Sequence, residues 1–186
     1  MQRQVLDRGT SRIMGPVSTL VVGDQPEIRN WLDRRRALGQ DGFDEVWEGV
    51  YHVAPNARAE HGVVAAEVLI ALAGSARAAG LWGCGPFNLG GADDFRVPDG
   101  GWFRAAPTGV YLPSALVVLE VLSPQDETFN KFGFYHAHGV DEILVADPSK
   151  RTVACWARAE SEYLPAAHSE VLKVAMAAVQ ADVRWP

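Results

Sequence analysis

Two carboxylates, Glu120 and Asp99, occupy positions where a side chain could do chemistry. Glu120 interrupts an apolar run rich in Val and Leu within residues 114–124, and a buried carboxylate is costly unless it is paired or binds an ion. Asp99 ends the short segment 95–99, which also has the residue types of a strand. Acids delivered by two neighbouring strands could hold Mg²⁺ or Mn²⁺, because these hard cations prefer carboxylate, carbonyl and water oxygens.

Each acid also has an ordinary structural explanation. Asp99 stands in the sequence Pro-Asp-Gly-Gly, where it could simply form a turn, so both uses of this residue stay open. Glu120 could belong to a buried ion pair, but residues 116–122 contain no basic partner. The hypothesis of a metal site therefore depends more on Glu120 than on Asp99.

The elements that must position these acids follow from hydrophobic periodicity and turn residues. A buried strand is predicted over 115–122, preceded by short strands near 82–88, 94–98 and 101–104. The principal helix is predicted over 60–79, and the remaining predictions are a helix starting at Asp24, a strand over 45–53, a helix over 127–138, a strand hairpin of 141–147 with 152–157, and a short helix near the end. This order predicts an α/β or mixed α+β domain with a central mixed sheet flanked by helices.

Length and composition predict one domain of ordinary size. With 186 residues, 48% of them apolar and 22% charged, the chain can bury a core of its own. Residues 1–17 have no periodicity and are predicted to be a flexible tail, so that 18–186 form the domain. Cys84 and Cys155 lack metal-binding spacing, which together with the lack of a leader or membrane-length apolar run favours a cytoplasmic protein and no membrane partner.

The net charge of −6 counts against tight nucleic-acid binding through a broad basic surface. It does not exclude an enzyme that contacts a few phosphates. The basic cluster at 34–36 is most simply a solvated helix end. Six Trp residues in this length leave apolar surface that a homodimer would cover.

Several ordered motifs together resemble one known family. They are Val97-Pro-Asp99, Val117-Val-Leu-Glu-Val-Leu-Ser-Pro124, Lys131 with Tyr135 and Gly139-Val140, Ile143-Leu-Val-Ala-Asp-Pro148, Thr152-Val153, and in the first half Glu45-Val-Trp-Glu-Gly49, Pro55 and His61. As a set, they resemble the Uma-two family over roughly residues 24–186. The resemblance implies a restriction-endonuclease-like fold of the PD-(D/E)xK nuclease group.

The resemblance also implies roles for individual residues. Asp99 and Glu120 match the acidic ligands of Mg²⁺ or Mn²⁺, and the carbonyl of Val121 would join them. The superfamily Lys usually lies two residues after the Glu, where this chain has Leu122, but the Uma-two family is similar in supplying a Lys from the following helix. Lys131 holds that place, although a helix lysine is ordinarily just solvated.

Three further residues are implied as accessory. Glu45 and Glu48 could complete a second shell around the metal, and His61 opens the apolar face of the principal helix. A histidine at such a position is more often a packed, hydrogen-bonded side chain than a catalyst.

The resulting hypothesis is a metal-dependent endonuclease that hydrolyses DNA phosphodiester bonds. The alternative is a catalytically inactive nucleic-acid-binding or protein-interaction domain on the same fold, which the acidic charge and Leu122 favour. Hydrolysis of another phosphoester is a third hypothesis that the sequence does not separate from the first.

Overall fold

The structure is a computed structural model that describes residues 20–22, 26–54, 58–123 and 127–186. Its helices are α1 (Pro26–Ala37), α2 (Ala59–Ala78), α3 (Phe132–Ala137) and α4 (Met176–Asp182), with a 3₁₀ turn at Thr128–Lys131. Its strands are β1 (Leu20–Val22), β2 (Glu45–Trp47), β3 (Val50–Val53), β4 (Trp82–Cys84), β5 (Asn88–Gly91), β6 (Asp94–Arg96), β7 (Gly100–Phe103), β8 (Tyr111–Leu112), β9 (Val117–Val121), β10 (Glu142–Asp147), β11 (Thr152–Arg158), β12 (Tyr163–Ala166), β13 (His168–Ser169) and β14 (Val174–Ala175). The predicted tail at 1–17 and the predicted helix start at Asp24 lie outside the described residues.

The strands form two six-stranded sheets and one small hairpin. The first sheet has the order β1-β3-β2-β6-β5-β8, and the second, here called the central sheet, has the order β12-β11-β10-β9-β7-β4. In the central sheet β9 and β10 are parallel, whereas the other neighbouring strands are antiparallel. The predicted mixed sheet is therefore present, with the predicted 115–122 strand as one of its inner strands.

Alternation along β9 divides the core between the two faces of the central sheet. Val117, Leu119 and Val121 pack with the inner residues of α2, while Val118 belongs to a second cluster that contains Tyr135 of α3. Successive side chains of a strand point to opposite faces, so Glu120 shares the face of Val118. Burying each such Val or Leu side chain contributes about 1.5–3 kcal/mol, which fixes the register of β9 and thereby the place of its acid.

The principal helix α2 covers the first of these faces. Val64, Val68 and Leu72 are fully buried against the sheet, and the helix ends before Gly80, whose φ of +71° suits glycine. Among the described residues, α2 is the one helix long and apolar enough to cross a membrane by length and composition alone. Packing against the sheet accounts for the apolar residues on the inner face of this helix.

The predicted single strand over 45–53 is wrong. The chain instead makes a tight hairpin in which β2 and β3 pair antiparallel, with Trp47 opposite Val50. The two residues between them, Glu48 and Gly49, both have positive φ, at 50° and 81°. A two-residue hairpin turn of this kind requires positive φ at both positions, and glycine at the second removes most of its strain.

The helix predicted over 127–138 is present but begins as a 3₁₀ turn. That turn covers Thr128–Lys131 and is followed directly by α3. Gly139, with φ +71°, ends α3 as the sequence predicts. The tighter first turn matters for function because it determines where Lys131 projects.

A buried aspartate closes the hairpin between β10 and β11, and we predict that it contributes stability which depends on pH. Asp147 Oδ1 accepts bonds from Ser149 N at 3.0 Å, Ser149 Oγ at 2.6 Å and Lys150 N at 3.2 Å. These bonds, first those from Ser149, lower the pKa of Asp147 to about 2. Asp147→Asn should therefore lower the free energy of unfolding by about 2 kcal/mol at pH 7.

The direction of this pH dependence follows from the lowered pKa of Asp147. The contribution is fully present above the unfolded pKa of about 3.9 and is lost as the pH falls through the folded value. Urea unfolding of wild type and Asp147→Asn between pH 7 and pH 2 measures it, with the exposed Asp182→Asn as control. A difference between wild type and Asp147→Asn that stays constant down to pH 2 would contradict the prediction.

Candidate active site

The register of the central sheet brings Asp99 and Glu120 together. β7 pairs with β9 antiparallel, with Gly100 opposite Leu119, so one further step places Asp99 opposite Glu120. The Asp99 amide donates to the Leu119 carbonyl at 2.9 Å, which continues the pairing beyond the strand. The backbone at Asp99, one residue before β7, therefore lies beside Glu120 near the end of β9.

Both oxygens of the Asp99 carboxylate are held. Oδ2 accepts a hydrogen bond from the Val121 amide at 2.8 Å, and Oδ1 lies 2.7 Å from His61 Nε2. His61 reaches this point from the first turn of α2, and its Nδ1 lies 3.1 Å from Ser123 Oγ. His61 is therefore a hydrogen-bonded histidine whose partner is the predicted metal ligand Asp99.

Glu120 is the most deeply buried acid of the site. Its side chain is 4% exposed, and its Oε1 accepts a hydrogen bond from the Tyr135 hydroxyl and lies 3.3 Å from Lys131 Nζ. Burial raises the pKa of Glu120 to about 8. The Lys131 ammonium opposes this shift, while the negative charges of Asp99 and Glu45 add to it.

Lys131 reaches the acids from the 3₁₀ turn that precedes α3. Its Nζ donates to Glu45 Oε1 at 2.9 Å and lies beside Glu120. Burial disfavours the ammonium, but the charges of Glu120 and Glu45 outweigh burial and raise the pKa of Lys131 above its ordinary value. The lysine is therefore a fixed positive charge between two carboxylates.

Glu45 positions this lysine from the first sheet. Its Oε1 also accepts the Val97 amide at 2.8 Å, and its Oε2 accepts the Trp47 indole N–H at 2.6 Å. Because Val97 lies two residues before Asp99, the Glu45 carboxylate ties β2 to the segment that carries the first acid. Glu45 thus links the two sheets at the site.

Glu48 is the one predicted site residue that the structure does not bring to this cluster. It is exposed in the turn of the first hairpin, where its amide donates to Asp94 Oδ1 at 3.0 Å. Within the described part of the chain, its carboxylate makes no hydrogen bond to the other predicted site residues. The hairpin explains this outcome, because the turn directs residue 48 away from the face that Glu45 shares with Lys131.

Two residues of the site were not assigned a role from the sequence. Tyr135 donates to Glu120, and burial together with the charges of Glu120 and Glu45 raises the pKa of the tyrosine well above its ordinary value. Trp47 donates to Glu45. The four-residue spacing between Lys131 and Tyr135, one helical turn, was the available signal for the tyrosine.

The donor set fits a magnesium-like ion better than a metal with an all-protein cage. Among the described residues, no three His, Cys, Asp or Glu side chains are gathered as a metal site. Mg²⁺ keeps several waters and is commonly bound by one or two carboxylates together with substrate phosphates. Asp99 and Glu120 would be the two carboxylates of such a site, and a backbone carbonyl such as that of Val121 would be a compatible third ligand.

Comparison with known proteins identifies the family and the fold. The sequence model of the Uma2 family, described as "Putative restriction endonuclease", matches residues 32–183. A crystal structure from Anabaena variabilis, described as "a putative nuclease belonging to DUF820", aligns with a TM-score of 0.58 at 15% identity, covering 75% of this chain and 90% of that chain. No curated protein matches the chain. The predicted family and the predicted restriction-endonuclease-like fold are confirmed.

Proposed function

The chain belongs to the Uma2 family, and from this premise we propose that it is a metal-dependent endonuclease that hydrolyses DNA phosphodiester bonds. The observation that carries the proposal is the meeting of three groups. Asp99 and Glu120 lie opposite each other on neighbouring strands, and Lys131 Nζ lies 3.3 Å from Glu120 Oε1. Two acids and a fixed cation are what hydrolysis of a phosphodiester requires.

Asp99 and Glu120 would hold Mg²⁺ or Mn²⁺, with the Val121 carbonyl as a further ligand. A metal bound there supplies Lewis acidity, lowering the pKa of a bound water and polarising the phosphoryl oxygen. The Val121 amide and His61 hold the two Asp99 oxygens in place, so that this carboxylate need not reorganise on binding. Tyr135 does the same for Glu120.

Lys131 would stabilise the negative charge that develops on the phosphoryl group. Its ammonium is charged throughout the physiological pH range because the two neighbouring carboxylates raise its pKa. A preorganised charge in a site of low dielectric is worth more than the same charge in water. Glu45 keeps the ammonium in position through the 2.9 Å contact, which assigns Glu45 a supporting role without contact to the metal.

Two observations favour the alternative of a binding domain without activity. The Lys131 ammonium is paired with Glu45 at 2.9 Å and lies 3.3 Å from Glu120, and the position two residues after Glu120 is Leu122. A protein that had lost catalysis could keep these buried pairs for stability alone. DNA binding without metal-dependent cleavage would support this alternative.

Cleavage of supercoiled plasmid DNA tests the proposal. Wild-type protein is expected to nick or linearise the plasmid in the presence of Mn²⁺ or Mg²⁺, and this cleavage should stop when EDTA is added. Asp99→Asn should lose this activity and the calorimetric heat of Mn²⁺ binding, whereas the exposed Glu162→Gln should keep both. A wild-type protein that binds neither metal and leaves plasmid and single-stranded DNA intact would refute the proposal.

A further inference from the structure

Helix α2 has an apolar face that no described element covers. Ile70 and Val63 on this face are 62% and 46% exposed, and Gly62, Ala66 and Gly74 beside them are also exposed. A helix that is apolar on all sides is ordinarily buried on all sides. The opposite side of α2 packs against the central sheet, so the outer face is left without the cover that its composition demands.

The outer face continues into a groove beside β4, which is an edge strand of the central sheet. The groove has a volume of about 590 Å³ and lies between α2 and β4, where Ala73 and Leu69 line one wall and Trp82 the other. Trp82 is itself 57% exposed. A contiguous exposed apolar surface of this kind marks an interaction site.

The charges of α2 identify the occupant. Its exposed charges are Glu60 near the beginning and Arg77 near the end, because Glu67 is buried in an ion pair with Arg184, at 2.9 Å between Nε and Oε2. A helix with an acid at one end, a base at the other and an uncharged face between them is complementary to itself when turned end for end. This property selects an antiparallel copy of the same helix.

We propose that the protein forms a two-fold symmetric dimer in which the outer faces of two α2 helices pack antiparallel. With the two-fold axis between residues 68 and 69, Val63 of each copy lies against Gly74 of the other, and Ile70 lies beside Ala66. The large side chains thereby meet small ones, and apart from the nearby backbone of α2 no described atom lies within 4 Å of the space where a Cβ on Gly74 would stand. Glu60 then lies next to Arg77 of the second copy at both ends.

The dimer contact combines the outer face of α2 with the groove beside it. A helix of 20 residues is about 30 Å long and roughly 10 Å wide. The amino-terminal half of the second helix also lies over the mouth of the groove and adds its walls to the contact. Two such faces bury about 600 Å², so the walls of the two grooves must contribute the rest of the roughly 1,000 Å² at which interfaces of biological dimers begin. A two-fold contact uses the same patch on both copies.

Light scattering coupled to size-exclusion chromatography, with sedimentation velocity, tests the dimer. Wild-type protein at about 50 µM should have twice the chain mass, which is 20.2 kDa. Ile70→Glu should raise the dissociation constant at least about 100-fold and give the single-chain mass with an unchanged circular dichroism spectrum. Leu164→Glu is the matched control, since Leu164 is 51% exposed on β12 at the opposite edge of the same sheet and should leave the dimer intact.

Charge reversal provides a second test that does not depend on Ile70. Arg77→Glu should weaken the dimer by placing two acids together, and Glu60→Arg with Arg77→Glu should restore it. A wild-type protein of single-chain mass would overturn the proposal, as would a dimer that survives Ile70→Glu. Flotation of a monomeric wild type with phosphatidylglycerol vesicles would assign the face to a lipid surface instead and would equally overturn it.

Discussion

Replacing Glu120 by Gln is expected to abolish metal-dependent cleavage while leaving the fold at least as stable. The amide keeps the shape of the side chain and can still accept the Tyr135 hydroxyl, which donates to Oε1. It carries no charge for Mg²⁺ or Mn²⁺, so we expect the rate of plasmid cleavage to fall on the order of 10³-fold. The calorimetric heat of Mn²⁺ binding should disappear with it.

The stability of this variant separates function from folding. Burial raises the pKa of Glu120, which shows that the folded protein disfavours the charged form. A group whose charged form the fold disfavours loses little when a neutral isostere replaces it, and Lys131 keeps Glu45 as its ion-pair partner at 2.9 Å. Urea unfolding should therefore give Glu120→Gln a free energy of unfolding equal to or above that of wild type.

Glu162→Gln is the control, because it makes the same chemical change at an exposed position. It should leave cleavage, metal binding and stability unchanged. If Glu120→Gln lost several kcal/mol of stability while Mn²⁺ bound as in wild type, Glu120 would be a structural residue and the proposed function would lose its main support. If Glu120→Gln still cleaved the plasmid, the proposed function would likewise lose its main support.

The acidic pair could be predicted from the sequence because it depends on local patterns. A carboxylate within an apolar strand and a second acid after a short strand are visible in one dimension, and antiparallel neighbours place Asp99 opposite Glu120. The helices α2 and α3 could be placed for the same reason, since periodicity and terminal glycines mark them. Metal binding at this pair stays a prediction.

The ion-pair partners of Lys131 could not be derived from local sequence patterns. Glu45 and Lys131 are 86 residues apart, and their contact depends on how the first sheet packs against the central one. The predicted single strand over 45–53 hid that arrangement, because Glu48 is not a residue that ordinarily signals positive φ, although Gly49 is. The exposure of the outer face of α2 could not be predicted either. Its apolar composition predicts a buried helix but does not identify which surface covers each face.

Lys131→Met is expected to separate catalysis from metal binding. The variant removes the cation that lies 3.3 Å from Glu120 Oε1, so a divalent metal no longer competes with a fixed positive charge. At this distance, two unit charges interact with about 5 kcal/mol at an effective dielectric constant near 20. Mn²⁺ should therefore bind several-fold or more tightly, while cleavage falls about 10²–10³-fold because the developing negative charge is no longer stabilised.

The stability of Lys131→Met should fall by about 3 kcal/mol, because Glu45 loses its ion-pair partner in a buried setting. Lys131→Arg keeps the charge and guards against a variant that does not fold, and it should be impaired in cleavage since a planar guanidinium cannot reproduce the ammonium contacts.

Lys150→Met, at a lysine that is 75% exposed, is the control and should resemble wild type in cleavage and Mn²⁺ affinity. For Lys131→Met, the Mn²⁺ affinity measured by calorimetry must rise while the rate of plasmid cleavage falls. If metal affinity fell together with the rate, the lysine would be organising the carboxylates for the metal rather than stabilising charge on the substrate.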